Sequence, residues 1–350
     1  MKRIQKLRET AQKLGYSNFA VFNSANLTYF TGVQGATALL IPPQGKGILY
    51  VSSVNYEQVK ADAKDVTVQL CRRGENLMEK IAQQTAGALA VDTLPIESWR
   101  ALAKAVGGEE KLQPANNLIR DLRKVKDAEE IQLIKEACKL ANLGIKVAAE
   151  TIRPGIKEKT VAAEVEYDMR KAGSDGTAFD TIVASGVYAG FPHGSSLEKT
   201  IGDGDLVVVD LGATHKFYRS DITRTFIAGK ATAKQNRIYE TVRLAYQKAF
   251  ETIKPGVAAN AVDLAGRRVI EEAGFGELFC HNLGHGVGLE VHEAPILSPD
   301  SKDVLEAGNV VTDEPGIYLA GFGGVRIEDT VLVTKDGAEK LTSAPTSLSV

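Results

Sequence analysis

Two aspartates on a predicted β-hairpin are the first residues whose types and spacing suggest chemistry. Asp210 and Asp221 lie in the segment DLGATHKFYRSDITRT. An apolar run at 206–209 predicts a buried strand before the turn, and a second strand is predicted from Phe217. If the hairpin is centred between His215 and Lys216, the carboxylates oppose each other with Cβ atoms roughly 4.5–5.5 Å apart, where like charges repel. One or two divalent metal ions would neutralise them; the alternative is an ordinary hairpin with solvated aspartates.

A second group of candidate ligands lies further along the chain. Glu314 and Glu328 flank the glycine-rich turn 321–324, and all five histidines fall between residues 193 and 292. His215 is predicted in the hairpin turn, and the four remaining histidines are His193, His281, His285 and His292. Taken singly, each histidine is more often an ordinary core or surface residue than a ligand. Together with four acids on predicted strands, they predict a metal site.

The donor types restrict which metals this site would bind. One imidazole with four carboxylates is a hard donor set in which oxygen predominates, and it suits Mn²⁺, Co²⁺ or Fe²⁺, with Zn²⁺ possible. Four negative charges balance two divalent ions, and two-metal clusters hold their ions roughly 3.5–4 Å apart, a distance that bridging carboxylates span. We therefore predict two divalent metal ions.

Other chemistries have incomplete motifs in this chain. No HExxH zinc motif is present, Ser185 does not lie in a GxSxG turn, and the run GHGVG lacks the lysine of a phosphate-binding loop. Three cysteines at unrelated spacings predict neither a disulfide framework nor a zinc site. The formal net charge of -2 does not indicate a nucleic-acid partner.

Composition and hydropathy indicate an ordinary globular protein. Hydrophobic residues make up 44% of the 350 residues and charged residues 25%. The N-terminal sequence MKRIQKLRET lacks the roughly 7–15-residue apolar core of a signal peptide. No apolar run approaches the roughly 20 residues that a membrane span needs. We therefore expect a cytoplasmic protein with no membrane partner.

The chain length and the pattern of elements predict two domains. Residues 1–120 alternate between strand-like and helical patterns, which predicts an α/β domain. This part of the chain has no histidine and no clustered acids, so we expect it to form one wall of the site or a subunit contact. The basic stretch 116–127 is interpreted as a connector. Residues 121–350 form the predicted catalytic domain.

An internal repeat organises this second domain. The sequence TIRPG at 151–155 recurs as TIKPG at 252–256, and each copy follows a helical pattern and precedes another. The first of these helices is predicted to begin at a capping box formed by Asp127 and Glu130. We predict two similar α+β halves, 127–228 and 229–335, whose strands pair into one sheet with helices packed outside it. Convergent polar groups would then meet between the halves.

At its polar motifs the chain resembles the pita-bread metallopeptidases, specifically the branch that contains prolidase and aminopeptidase P. The motifs are FPHGSS, VVVDLGA, SDITRTF, GHGVGLEVHE, TDEPGIY and GVRIED. They cover about 127–335, and the N-terminal domain has the size and position found in that branch. The resemblance implies a C-terminal domain with an internal pseudo-two-fold repeat, in which a curved antiparallel sheet is covered by helices.

The resemblance also implies five metal ligands, which are Asp210, Asp221, His285, Glu314 and Glu328. Asp221 and Glu328 would bridge both ions. Asp210 would bind one ion, and His285 with Glu314 the other. A water activated by the metals would be the nucleophile, and Glu314 the base that accepts its proton.

Further residues receive roles from the same resemblance. His193 and His292 would steady the substrate carbonyl and the developing tetrahedral charge. Arg326 would contact a metal-binding carboxylate. For His281, such a contact and a plain structural role are equally open. Arg219 departs from the family pattern and is expected to place a cation near the site entrance.

The implied reaction is hydrolysis of the peptide bond between an N-terminal residue and a following proline. Prolidases tend to carry an arginine shortly after the HE pair, where this chain has Ile296. This difference favours aminopeptidase P-like cleavage of longer peptides, and the alternative is a prolidase restricted to Xaa-Pro dipeptides. Two further alternatives are a creatinase-like, metal-free amidinohydrolase and an inactive binding protein of the same fold. Relatives are often homodimers, so we expect a homodimer.

Overall fold

In the computed structural model, which describes residues 2–348, the chain divides into the units Met1–Arg123 and Lys124–Val350. Each unit has its own hydrophobic core. None of the helices within residues 2–348 is long and apolar enough to cross a lipid bilayer.

The N-terminal unit is a six-stranded mixed sheet with helices. The strands are β1 Asn18–Val21, β2 Ala38–Ile41, β3 Gly47–Ser52, β4 Val66–Cys71, β5 Leu89–Val91 and β6 Leu112–Pro114. The helices are α1 Lys2–Lys13, α2 Ser24–Thr31, α3 Tyr56–Asp62, α4 Leu77–Gln83, α5 Ile96–Val106 and α6 Asn116–Lys124, and Glu109–Lys111 is a 3-10 helix. The strand order is β4-β3-β2-β1-β5-β6, in which β2 is antiparallel to both neighbours and the other pairs are parallel. The prediction of an α/β domain is confirmed.

The boundary between the two units falls within the predicted connector 116–127, and most of this stretch is helix α6. Ile119 and Leu122 are both buried and lie three residues apart, so they share one helical face, while Arg120 and Asp121 between them are exposed. The charged outer face dominated the composition of the segment. The apolar periodicity of the inner face was the better signal.

Four long helices of the C-terminal unit follow the repeat. They are α7 Ala128–Thr151, α8 Glu158–Lys171, α9 Ala233–Thr252 and α10 Ala259–Glu272. Helices α8 and α10 have the same length and lie 101 residues apart, as the repeat predicts. The glycines of the repeated Pro-Gly pairs, Gly155 and Gly256, have φ angles of 92° and 83°, which non-glycine residues rarely adopt. The predicted capping box of Asp127 and Glu130 at the start of α7 is confirmed.

The strands of the C-terminal unit form several short antiparallel ladders. They are β7 Gly176–Thr177, β8 Ile182–Ser185, β9 Asp205–Leu211, β10 Ala213–His215, β11 Tyr218–Arg219, β12 Ile222–Ala228, β13 Gly284–Gly286, β14 Glu293–Leu297, β15 Val310–Asp313, β16 Gly316–Leu319, β17 Gly323–Arg326, β18 Asp329–Val333 and β19 Ala338–Lys340. Their orders are β11-β10-β7, β12-β9-β8, β14-β13-β15-β18-β19 and β16-β17. Gly186–Gly190 and Gly276–Leu278 are 3-10 helices.

Within residues 2–348 the strands of the two halves form separate sheets instead of the one sheet predicted, although the fold class is confirmed. Glu314 and Pro315 separate β15 from β16, and proline has no N–H to donate to a ladder. Ile327 and Glu328 separate β17 from β18. The halves are instead joined by single hydrogen bonds, such as that from the Glu328 N–H to the Thr223 carbonyl at 3.1 Å. Both predicted glutamate ligands thus lie at breaks between strands.

The hairpin that carries the two aspartates has a different register from the predicted one. Asp210 pairs with Thr223, not with Asp221. The turn is formed by Lys216 and Phe217, whose φ angles are 45° and 77°, so the hairpin is centred one residue later than predicted. Asp221 lies two residues before Thr223, and alternate residues of a strand share a face. Asp210 and Asp221 are therefore diagonal neighbours on one face of the hairpin.

Candidate metal centre

A cavity of about 670 Å³ lies within the C-terminal unit. All nine site residues predicted from the sequence line it, and these are His193, Asp210, Asp221, His281, His285, His292, Glu314, Arg326 and Glu328. Phe179, Ile182, Val291 and Ile296 contribute apolar walls. Arg219 does not line the cavity, because its guanidinium donates to the carbonyl of Ala178. The cavity thus combines an acidic, imidazole-rich floor with apolar sides.

The donor atoms of Asp221, His285 and Glu328 lie within 4.8 Å of one another. The Nδ1 atom of His285 is 3.1 Å from the Gly286 carbonyl, which directs Nε2 towards the acids. Nε2 lies 3.7 Å from an Asp221 carboxylate oxygen and 3.2 Å from one of Glu314. Three carboxylates and one imidazole therefore converge on a small volume.

Glycines on either side of His285 allow this convergence. A Cβ atom on Gly284 would collide with the Thr312 carbonyl, and one on Gly286 would collide with the Ala294 carbonyl. Only glycine permits such close approach of the strand that carries His285 to its neighbours. The glycines of the motif thus fix the imidazole by close packing of the backbone.

Arg326 organises the other side of the cavity. Its Nη2 atom donates to an Asp210 carboxylate oxygen at 2.6 Å, and its Nε atom donates to the Thr223 hydroxyl at 3.1 Å. Its Nη1 atom donates to the Tyr318 hydroxyl at 2.9 Å. That hydroxyl is also 2.9 Å from Nε2 of His281. His281 is therefore linked to Asp210 through Tyr318 and Arg326.

The acidic cluster leaves polar atoms without a protein partner. Asp210 Oδ1 and Glu328 Oε1 are buried and have no hydrogen-bond partner within residues 2–348. Burial, and then the charge of Asp210, raises the pKa of Asp221 well above its ordinary value. Burial, and then the charge of Asp221, does the same to the pKa of Glu328. A divalent cation would bind the unpartnered oxygens and would favour the ionised form of these carboxyls. Both features therefore fit a site that binds divalent cations.

His285 and Glu314 behave as an ion pair. Burial opposes the charge on each, but their mutual hydrogen bond outweighs it. This contact raises the pKa of His285 to about 9 and lowers the pKa of Glu314 to about 2. Glu314 also accepts a hydrogen bond from the Thr312 hydroxyl at 3.1 Å.

The two other histidines flank this cluster. The His292 ring lies 4.3 Å from the His285 ring, centroid to centroid, and burial followed by the charge of His285 lowers the pKa of His292. His193 lies on an exposed stretch after the 3-10 helix and faces the cavity from the other half. Both imidazoles are within the same cavity as the acids, where a substrate could contact them.

Sequence reasoning missed three side chains that hold these groups in place. Thr223 donates to a Glu328 carboxylate oxygen at 2.6 Å, and Thr312 and Tyr318 make the contacts described above. A signal for Thr223 was present, because it follows Asp221 by two residues and so shares its face. Tyr318 and Thr312 carried no comparable signal.

The fold and this cavity define a protein of the metal-binding hydrolase class, with a duplicated α+β domain. Residues 132–335 match the family described as metallopeptidase family M24, and residues 3–125 match the creatinase/prolidase N-terminal domain. The chain belongs to metallopeptidase family M24. Membership of this family implies divalent metal ions, and the resemblance drawn from the motifs is confirmed.

Individual relatives cover nearly the whole chain. An Xaa-Pro dipeptidase of Pyrococcus furiosus is 40% identical over 352 residues, 99% of each chain. The structure of the prolidase from Pyrococcus horikoshii OT3 is 39% identical, with a TM-score of 0.94 over 99% of this chain and 100% of that one. The X-Pro aminopeptidase from Thermotoga maritima MSB8 is 34% identical, with a TM-score of 0.90 over 99% of each chain. The relatives therefore favour the dipeptidase alternative over the aminopeptidase P-like activity preferred from Ile296.

Proposed function

We propose that the protein is an Xaa-Pro dipeptidase, which hydrolyses the bond between an N-terminal residue and a following proline. The observation that carries this proposal is the convergence of four carboxylates and His285 in one cavity of a metallopeptidase fold. The names of the similar Xaa-Pro dipeptidases support the substrate class. Cleavage of longer peptides is the second candidate, and Ile296 on the cavity wall favours it because it supplies no cation for a dipeptide's carboxylate.

Asp210, Asp221, His285, Glu314 and Glu328 would hold two divalent metal ions. Their donor chemistry fits Mn²⁺, Co²⁺ or Fe²⁺, with Zn²⁺ possible. When bound, such ions polarise a carbonyl group and lower the pKa of water. The unpartnered oxygens of Asp210 and Glu328 support this assignment, because each is buried and available to a cation.

The remaining chemistry is assigned to side chains of this cavity. A carboxylate oxygen of Glu314, which lines the cavity beside His285, would accept the proton of the attacking water. His193 and His292 would donate hydrogen bonds to the substrate carbonyl oxygen as negative charge develops on it. Arg326 would hold the Asp210 carboxylate in place. His281 would support this contact indirectly, because the Tyr318 hydroxyl contacts both His281 and Arg326.

The decisive experiment compares kcat/KM on an Xaa-Pro dipeptide and on a tripeptide that begins with the same two residues. Purified protein is chelated and then given Mn²⁺ or Co²⁺, and an Xaa-Ala dipeptide serves as the substrate control. We expect metal-dependent hydrolysis with the dipeptide preferred. Preference for the tripeptide would support the aminopeptidase P alternative. Hydrolysis that survives chelation would contradict the metal assignment, and no hydrolysis of any Xaa-Pro peptide would contradict the proposal.

Three broader expectations accompany this proposal. We propose a homodimer and a cytoplasmic location. We also propose a division at residue 120 into an N-terminal domain, which forms one wall of the site or a subunit contact, and a catalytic domain. The matched N-terminal family over residues 3–125 supports the last of these. Light scattering of the purified protein at several concentrations tests the dimer, and a monomer at all concentrations would contradict it.

A further inference from the structure

Each half of the C-terminal unit places a fully buried carboxylate on its second helix. Glu158 is the first residue of α8, and Asp263 lies in the first half of α10. Both are 0% exposed, and neither lines the cavity. A buried carboxylate is costly unless it is hydrogen-bonded, so its partners show what it holds.

Glu158 holds both ends of the segment 186–196. One carboxylate oxygen accepts hydrogen bonds from the Ser185 N–H at 2.8 Å and from the Ser185 hydroxyl at 2.7 Å. The other oxygen accepts from the Leu197 N–H at 2.9 Å. The segment between these two anchors carries His193, so one side chain closes the loop on which His193 lies.

His193 itself is held weakly. Its side chain is exposed, and it makes no hydrogen bond with residues 2–348. Besides Glu158, the loop is held by Arg326, which donates to the Pro192 carbonyl at 3.2 Å. The Ser196 hydroxyl also accepts from the Val183 N–H at 2.9 Å and donates to the Thr181 carbonyl at 2.8 Å. The position of the imidazole therefore depends on the backbone anchors of its loop.

Asp263 performs the matching task in the second half. One of its oxygens accepts from the Leu283 N–H at 2.9 Å. The same carboxylate pairs with Arg267, where Nε lies 2.7 Å from an oxygen, and Arg267 donates to the His281 carbonyl at 2.8 Å. These contacts fix the backbone directly before His285.

We propose that Glu158 and Asp263, which lie about one helical turn apart in the repeat, are positioning residues of the two halves, Glu158 for His193 and Asp263 for His285. The inference rests on the proposed function, in which His193 contacts substrate and His285 binds metal. The two residues therefore act on different steps. Loss of the Glu158 anchors lowers turnover without weakening metal binding, whereas loss of the Asp263 anchors weakens metal binding.

Glu158→Gln and Asp263→Asn test this difference. Glutamine keeps the size of Glu158 but presents an NH₂ group to one of the two backbone donors, so one of the hydrogen bonds that position the loop is lost. For Glu158→Gln we expect turnover to fall about 10–100-fold, the range typical of residues that orient a site. The Mn²⁺ affinity, measured by calorimetry, should be unchanged. For Asp263→Asn we expect Mn²⁺ affinity to fall about 10–100-fold. Glu164→Gln and Glu272→Gln, exposed on the same helices, are matched controls that should change neither.

A double-mutant cycle separates positioning from general damage. If Glu158 acts through His193, Glu158→Gln combined with His193→Ala has the turnover of His193→Ala alone. Additive losses, or a loss of Mn²⁺ affinity in Glu158→Gln equal to that in Asp263→Asn, would overturn the proposal. If Glu158→Gln does not fold, Ser185→Ala removes one anchor more gently and enters the same cycle. Absence of Xaa-Pro hydrolysis in the unaltered protein would refute the proposed function instead, and the calorimetric comparison would still test Asp263.

Discussion

Two pairs of neighbouring acids, Asp313–Glu314 and Glu328–Asp329, show how adjacent side chains of one type come to have different surroundings. Glu314 and Glu328 line the cavity, whereas Asp313 and Asp329 are 0% and 2% exposed and do not. Successive side chains of an extended chain point to opposite sides, so each pair divides between cavity and core.

The partners of the acids differ accordingly. Asp329 is paired with buried Arg224, whose Nη2 lies 2.8 Å from its carboxylate, and it also accepts hydrogen bonds from Tyr246 and Thr342. Burial, and then the charge of Asp329, raises the pKa of Asp313 well above its ordinary value. On the cavity side, Glu328 keeps one oxygen without a protein partner. Both carboxylate oxygens of Asp313 are also buried without a hydrogen-bond partner in residues 2–348, so the position of an acid relative to the cavity separates the two sides, not the lack of a partner. Asp329 is neutralised by Arg224, whereas Glu314 and Glu328 face the cavity, where a ligand can reach them.

The largest expected effect separates Glu314 from its neighbour Asp313. Glu314→Gln should lower kcat about 10²–10⁴-fold, the usual contribution of a general base. Asp313→Asn keeps the size of a side chain that does not line the cavity, so turnover should stay near that of the unaltered enzyme. Steady-state kinetics with saturating Mn²⁺ measure both. Equal losses in the two variants would break the distinction between cavity and core acids.

Substitution of the core acid Asp329 should change the stability of the protein instead of its turnover. Asp329→Ala leaves Arg224 buried without its carboxylate, which typically costs about 3–5 kcal/mol. We expect urea unfolding to show a loss of that size. Adding Arg224→Met should restore part of it, because the unpaired charge is then removed. A single variant as stable as the unaltered protein would show that the pair is dispensable.

Metal binding should stabilise the cavity side. A ligand at 100 times its Kd raises the free energy of unfolding by about 2.7 kcal/mol if it binds only the folded state. We expect a gain of this order when Mn²⁺ is added to chelated protein, measured by thermal unfolding, together with recovery of activity. In Glu328→Gln the gain should be much smaller. An equal gain in both proteins would place the metal elsewhere.

The smallest effect concerns the metal-free protein and pH. The folded-state pKa of His285 is raised to about 9, so its contribution to stability is complete below its ordinary pKa of 6.5 and is lost as the pH rises towards 9. The raised pKa values of Asp221 and Glu328 act in the same direction, because their protonated forms are favoured by folding. We expect chelated protein to lose about 1 kcal/mol or more between pH 6.5 and 9. Protein with bound Mn²⁺ should not follow this trend, and a rise in stability of the chelated protein would contradict the assignment.

Local sequence patterns were sufficient to predict the helix pairs, the capping box and the candidate site residues. The repeated Pro-Gly breaks predicted two pairs of helices because proline and glycine together strongly disfavour continuation of a helix. Asp127 and Glu130 predicted their capping box for a similar local reason. Four acids and four histidines were recognised by type and spacing, and all eight line one cavity.

Other features were decided only by tertiary structure. The hairpin register was mispredicted because its turn is formed by Lys216 and Phe217, which carry no local signal for positive φ. The break at Glu328 likewise carried no local signal, unlike the break at Glu314, which precedes Pro315. Which acid of each neighbouring pair faces the cavity is decided by tertiary packing, because alternation along an extended chain separates neighbouring side chains without fixing the direction of either. Residue types and spacing thus determined which groups are present, and long-range packing determined which of them face one another.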